Sequence, residues 1–142
     1  MQIPKKMLPF LQPKRYKICI GGRGSGKSMT MGDLCLLAAQ TQGIKTLCAR
    51  EFQASIDDSI HTLLCAEIER LELKGFEIQR NEIRYGGETA FKYICLARSP
   101  ESVKSYHGFS RVFVDESQTI SEASLKALTP TLRTAGSEIW MA

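Results

Sequence analysis

The feature that most constrains this chain is Gly21-Gly22-Arg23-Gly24-Ser25-Gly26-Lys27-Ser28, which fits the phosphate-binding pattern G-x-x-x-x-G-K-[ST] without a departure. Its four glycines let the backbone turn tightly and present N–H groups to a polyphosphate. Lys27 then reaches the β- and γ-phosphate oxygens, which makes it a catalytic candidate, and the Ser28 hydroxyl can ligate Mg²⁺. The pattern has this meaning only between a strand and a helix. Residues 16–20, Tyr-Lys-Ile-Cys-Ile, supply the strand, and residues 28–42 supply a proline-free helical segment. The positive end of that helix adds to the anion site.

A length of 142 residues predicts one domain that can bury about 68–70% of the surface its unfolded chain exposes. The net charge of +4 permits an acidic partner without demanding one. Cys19, Cys35, Cys48, Cys65 and Cys95 form no C-x-x-C and lie mostly in apolar runs. They read as small hydrophobes of a reduced, cytoplasmic protein rather than as disulfide or zinc ligands. His61 and His107 have no metal-ligand spacing around them, no apolar run approaches membrane-spanning length, and the N-terminus lacks a signal-peptide core.

Residues 1–14 hold Pro4, Pro9 and Pro13, so they cannot form one regular element; they read as a lead-in strap near a nucleotide base or as a solvated terminus. Residues 15–142 read as the domain itself. After the loop helix, Gly43 is a stop signal, and residues 44–49 make a buried strand without alternation, as in a parallel sheet. Residues 52–73 form an amphipathic helix, with Ile56, Ile60, Leu63, Leu64, Ile68 and Leu71 at helical spacing and Gly75 as its end. Residues 76–85 alternate, Gly86-Gly87 turns and residues 90–96 return, which predicts an inserted β-hairpin. Residues 99–108 make a polar connector. Ser121 caps a helix that Pro130 bends or ends, and residues 137–142 begin another buried strand.

The second chemical landmark is Arg111-Val112-Phe113-Val114-Asp115-Glu116, a buried strand ending in two carboxylates. In phosphate-loop enzymes the acid at such a strand end holds Mg²⁺ beside the loop hydroxyl, and a neighbouring acid can activate water. Asp115 is therefore the metal candidate and Glu116 the general-base candidate. Arg50 and Glu51 end the second strand on the same sheet edge.

Together these residues resemble the N-terminal ATPase domain of bacteriophage terminase large subunits. The resemblance rests on three ordered blocks: Arg15-Tyr16-Lys17 leading into the glycine loop, Leu47 to Ser59, and Lys104-Ser105-Tyr106-His107-Gly108 followed by Val-Phe-Val-Asp-Glu. It implies an α/β fold, a three-layer P-loop NTPase of RecA/ASCE type with a mainly parallel sheet, the last strand lying between the loop strand and the Asp-Glu strand. It also implies Mg²⁺ with ATP as cofactor and hydrolysis coupled to packaging double-stranded DNA. Arg23 would act as an arginine finger in cis, and Arg15 and Tyr16 would join the nucleotide-binding residues. The implied partners are the phage portal, the small terminase subunit and further copies of the chain, with no membrane. The family's later ATPase strands and nuclease domain lie beyond Met141 and Ala142, so the chain reads as a C-terminally truncated fragment without nuclease activity. Two alternatives stay open. Asp115-Glu116-Ser117-Gln118 mimics the D-E-x-Q signature of superfamily 1 helicases, and a non-catalytic nucleotide-binding remnant would keep the same loop.

Overall fold

The computed structural model describes residues 1–52, 60–98 and 100–142. Seven strands form one sheet in the order β1 (Tyr16–Ile18), β7 (Glu138–Met141), β6 (Arg111–Val114), β2 (Thr46–Arg50), β5 (Glu88–Cys95), β4 (Glu82–Tyr85), β3 (Phe76–Ile78). The first five run parallel, and β4 and β3 add an antiparallel edge. As expected, β7 lies between β1 and β6: Met141 pairs with Ile18 on one side and Val114 on the other.

Alternation along these strands builds two cores. Cys48, Phe113 and Trp140 face α1 (Lys27–Gln42) and α2 (Ile60–Arg70), whereas Leu47, Val112, Val114 and Ile139 face α3 (Glu122–Thr131), with Leu128 and Leu132, and Val103 of a short 3₁₀ stretch. Phe91 and Phe113 are fully enclosed, and each such side chain contributes about 1.5–3 kcal/mol. Ser121 caps α3 by accepting from Ser124 N at 3.1 Å. Across the helical layer, Arg70 on α2 donates to Glu67 at 2.6 Å and reaches Asp33 on α1 at 2.8 Å.

Several expectations are corrected. The predicted hairpin turning at Gly86-Gly87 is present as β4 and β5, but the alternating run 76–85 is two strands: Gln79 N donates to Glu82 O at 3.0 Å and folds β3 back on β4, which makes a three-strand meander. The third of these strands, β5, pairs parallel with β2 and so belongs to the main sheet. Helix α2 stops before Gly75, because Glu72 takes the left-handed conformation (φ 51°) and Leu73 N closes onto Ile68 O at 3.0 Å. The N-terminal part of that predicted helix, residues 53–59, lies outside the described residues. The N-terminal segment, expected to hold no single regular element, is mostly exposed but is pinned to the domain at two side chains. Lys5–Leu11 forms a 3₁₀ helix containing Pro9, with Met7 and Phe10 in the core and Phe10 edge-on to Trp140 at 5.4 Å between ring centres.

Candidate functional site

At the C-terminal end of β1 the chain enters the glycine loop. Gly24 and Gly26 have φ of 76° and 73°, a left-handed backbone that side chains with a Cβ rarely adopt, and Gly26 is the N-cap of α1. The loop therefore delivers the N-terminus of a 16-residue helix, with its unpaired N–H groups, to the edge of the sheet. A cavity of about 960 Å³ opens there, lined by the loop with Arg23, Lys27, Ser28, Arg50, Asp115 and Glu116.

Lys27 Nζ donates to the carbonyl oxygens of Gly21 at 2.7 Å and Gly22 at 3.1 Å, which holds the ammonium over the loop. Ser28 Oγ donates to Asp115 Oδ1 at 2.8 Å, although the two residues are 87 positions apart. Asp115 continues the β6 ladder through its N–H to Ala49 O at 3.0 Å, and its side chain is 10% exposed. Its other oxygen, Oδ2, accepts from Arg50 Nη2 at 2.5 Å, and the same Arg50 nitrogen lies 3.9 Å from Glu116 Oε1. Glu116 breaks the strand in a left-handed conformation (φ 53°, ψ 45°) and its side chain is 51% exposed. The two adjacent acids thus have different surroundings: one is buried and doubly bonded, the other stands in the cavity.

The structure brings Arg23, Lys27, Ser28, Asp115 and Glu116 to one cavity, with Arg23 exposed at its wall. It does not bring Arg15 and Tyr16 there. Both lie at the start of β1, the far end of that strand from the loop, and neither lines the cavity. The Arg15 guanidinium donates to Thr129 O at 2.8 Å in the last turn of α3, to Ser137 O at 3.2 Å and to Ser137 Oγ. Its charge is used to close the exposed carbonyl end of a helix.

Arg50 is the residue whose role the sequence left blank. Its signal was position, since a charged residue closing an otherwise buried parallel strand beside the Asp-Glu strand must find carboxylates. Leu63 of α2 and Gln118 also line the cavity. The Ser28–Asp115 pair offers two hard oxygens in contact, which fits Mg²⁺, an ion that takes one or two protein ligands and completes its shell with water and phosphate. Among the described residues no group of three or more His, Cys, Asp and Glu could hold a metal, and none would be needed for that mode of binding. No described helix is long and apolar enough to cross a membrane.

The sequence matches the family model for the phage terminase large subunit over residues 13–142. No curated protein matches it. Among solved structures, the chain is similar to the N-terminal domain of the DNA packaging ATPase from bacteriophage phi29, at 21% identity and a TM-score of 0.74, covering 98% of this chain and 77% of that one. It is also similar to the large terminase of a thermophilic bacteriophage, at 19% identity and a TM-score of 0.75, covering 99% of this chain but 39% of that one. The large terminase ATPase domain of Thermus phage P74-26 matches at 18% identity and a TM-score of 0.65, covering 99% and 69%. At these identities the likeness is one of fold.

Proposed function

The chain belongs to the phage terminase large subunit family, and on that footing we propose that it hydrolyses Mg·ATP to drive packaging of double-stranded viral DNA into procapsids. The observation that carries the reading is the 2.8 Å contact between Ser28 Oγ and Asp115 Oδ1, which joins the phosphate loop to the acidic strand end.

In this reading the N–H groups of residues 21–28 and the N-terminus of α1 hold the phosphates. Lys27 exchanges its bonds to Gly21 and Gly22 for β- and γ-phosphate oxygens. Ser28 and Asp115 would hold Mg²⁺, which when bound would supply positive charge to stabilise the phosphates. Arg50 keeps the Asp115 carboxylate turned toward Ser28. Glu116, exposed in the cavity and free to face a water beyond the γ-phosphate, orients it and takes its proton. Arg23 reaches from the loop to the γ-phosphate and stabilises the transition state, as arginine fingers do elsewhere by about 10³–10⁵ in rate. The portal, the small terminase subunit and further copies of the chain are its partners. Membership in a packaging family and the likeness to the phi29 packaging ATPase domain support the coupling to DNA.

Lys27→Ala should abolish nucleotide binding, whereas Glu116→Gln should bind Mg·ATP like the parent while hydrolysis falls by at least about 10²-fold. Labelled-nucleotide binding and phosphate release measure the two steps separately. Parental turnover by Glu116→Gln would remove Glu116 as the general base.

A further inference from the structure

The N-terminal ends of the strands, opposite the phosphate loop, border a second cavity of about 290 Å³ between α1, the N-terminal 3₁₀ helix and the sheet. Phe10, Leu34, Leu37 and Ala38 give it apolar walls, and Lys17, Arg111 and Glu138 are the charged groups lining it. Two cations there share one carboxylate. Lys17 Nζ lies 2.8 Å from Glu138 Oε1 and donates to Oε2 at 2.9 Å, and Oε2 also accepts from Trp140 Nε1 at 2.7 Å, leaving Arg111 Nη2 a longer contact of 3.4 Å to that oxygen. Lys17 also donates to Phe10 O at 2.7 Å and is fully engaged.

Arg111 is not. It is 6% exposed, and its Nε has no hydrogen-bond partner among the described residues. Its remaining neighbours are Cys35 Sγ at 3.8 Å and the Trp140 ring, whose centre lies 4.0 Å from the guanidinium carbon. Burial pushes the Cys35 thiol up, so it stays neutral and offers no compensating charge. A buried guanidinium that shares its one carboxylate with a lysine and keeps an unpaired donor gains from a second anion.

We propose that this cavity binds a small organic monoanion, a carboxylate on a compact apolar body, with Arg111 as its cation and Phe10, Leu34, Leu37 and Ala38 enclosing the body. The volume lies at the low end of ligand pockets, and apolar walls with a few convergent polar groups are what such sites present. A nucleotide does not fit the chemistry, because one surplus cation and no glycine loop face this cavity. The site is independent of the phosphate loop, since the two lie at opposite ends of the sheet.

Trp140 is the chain's single tryptophan and lines the cavity, so its fluorescence reports on the site. The full chain is titrated with benzoate at constant ionic strength, with chloride as the reference salt. A saturable change in Trp140 emission is expected, unaffected by Mg·ATP. Arg111→Met should weaken it by about tenfold or more. Ala38→Leu, which fills the cavity from α1 with a good helix former and leaves the charged cluster intact, should abolish it. Ala38→Leu decides alone if Arg111→Met fails to fold by circular dichroism. The proposal is overturned by the absence of saturation, by equal saturation with chloride, or by parental affinity in Ala38→Leu.

Discussion

Raising the pH from 4.5 to 7.5 should weaken the contact between α1 and α2, and Asp33→Asn should remove that response. Asp33 and Glu67 are each 6% exposed and meet across the two helices, with one half-exposed guanidinium, Arg70, reaching both. Burial, then the hydrogen bond and charge of Glu67, raise the Asp33 carboxyl from 3.8 to about 6 against the pull of Arg70. An acid raised in the folded chain holds its proton more tightly there than when unfolded. Its stabilising protonation is therefore complete below 3.8 and is lost as pH rises through about 6. Of the interval from 3.8 to about 6, the part above pH 4.5, at about 1.36 kcal/mol per pH unit, amounts to about 2 kcal/mol. With a urea dependence of about 1–3 kcal/mol per molar, that is a fall of about 0.7–2 M in the unfolding midpoint between pH 4.5 and 7.5. Glu138 does not interfere above pH 4.5. Burial would raise it, but hydrogen bonds from Lys17 and Trp140 and the charges of Lys17 and Arg111 bring it below its ordinary 4.5, so its contribution is lost only in more acid solution. Urea unfolding of parent and Asp33→Asn is compared at pH 4.5, 5.5, 6.5 and 7.5. The variant should overtake the parent as pH rises. Parallel profiles would refute the reasoning, and so would a parent that gains on the variant toward pH 7.5.

Substitutions at two further positions test packing and the site. Arg50→Met leaves Asp115 and Glu116 without their shared cation, so the variant should lose about 1–3 kcal/mol, and Mg²⁺ should raise its melting temperature more than the parent's because the ion replaces the missing charge. An equal response to Mg²⁺ would argue against metal binding at Asp115. Gly32 lies where α1 meets α2: an added Cβ would stand 2.8 Å from Leu63 Cδ2 and 3.4 Å from Leu64 Cδ2. Gly32→Val should cost roughly 1–3 kcal/mol in urea unfolding, whereas in Gly32→Ala the helix preference for alanine, about 1 kcal/mol, offsets the small shift of a leucine end.

What the sequence made legible was whatever depends on a local pattern. The loop carries its own glycines, the strands of the parallel sheet read as apolar runs, and the Asp115-Glu116 pair sits where such a run stops. What it hid depends on contacts between distant segments. The turn between β3 and β4 contains neither glycine nor proline, so the alternation of residues 76–85 reads straight through it. The 3₁₀ helix at Lys5–Leu11 is held by Trp140 and by the Lys17 ammonium on Phe10 O, neither visible from a proline-rich terminus. The resemblance implies a nucleotide-binding role for Arg15, yet its guanidinium meets Thr129 and Ser137, partners 114 and 122 residues away.

The two acids of the site show how such long-range contacts make chemistry from adjacent residues. In an extended strand Asp115 and Glu116 would point to opposite faces of the sheet, one buried in each core. Instead Asp115 keeps the ladder while Glu116 turns left-handed, a conformation that costs a residue with a Cβ roughly 1–2 kcal/mol. The turn persists because β7 fixes both sides of it: Ala142 N donates to Val114 O at 3.0 Å, and Ser117 N donates to Ala142 O at 2.8 Å. Local strain of this kind survives where the surroundings over-determine it. The strand between the loop and the acids therefore does more than fill the sheet. It lets Asp115 stay bonded to Ser28 and Arg50 while Glu116 is delivered to the cavity, so two neighbouring carboxylates can serve a metal and a water at once.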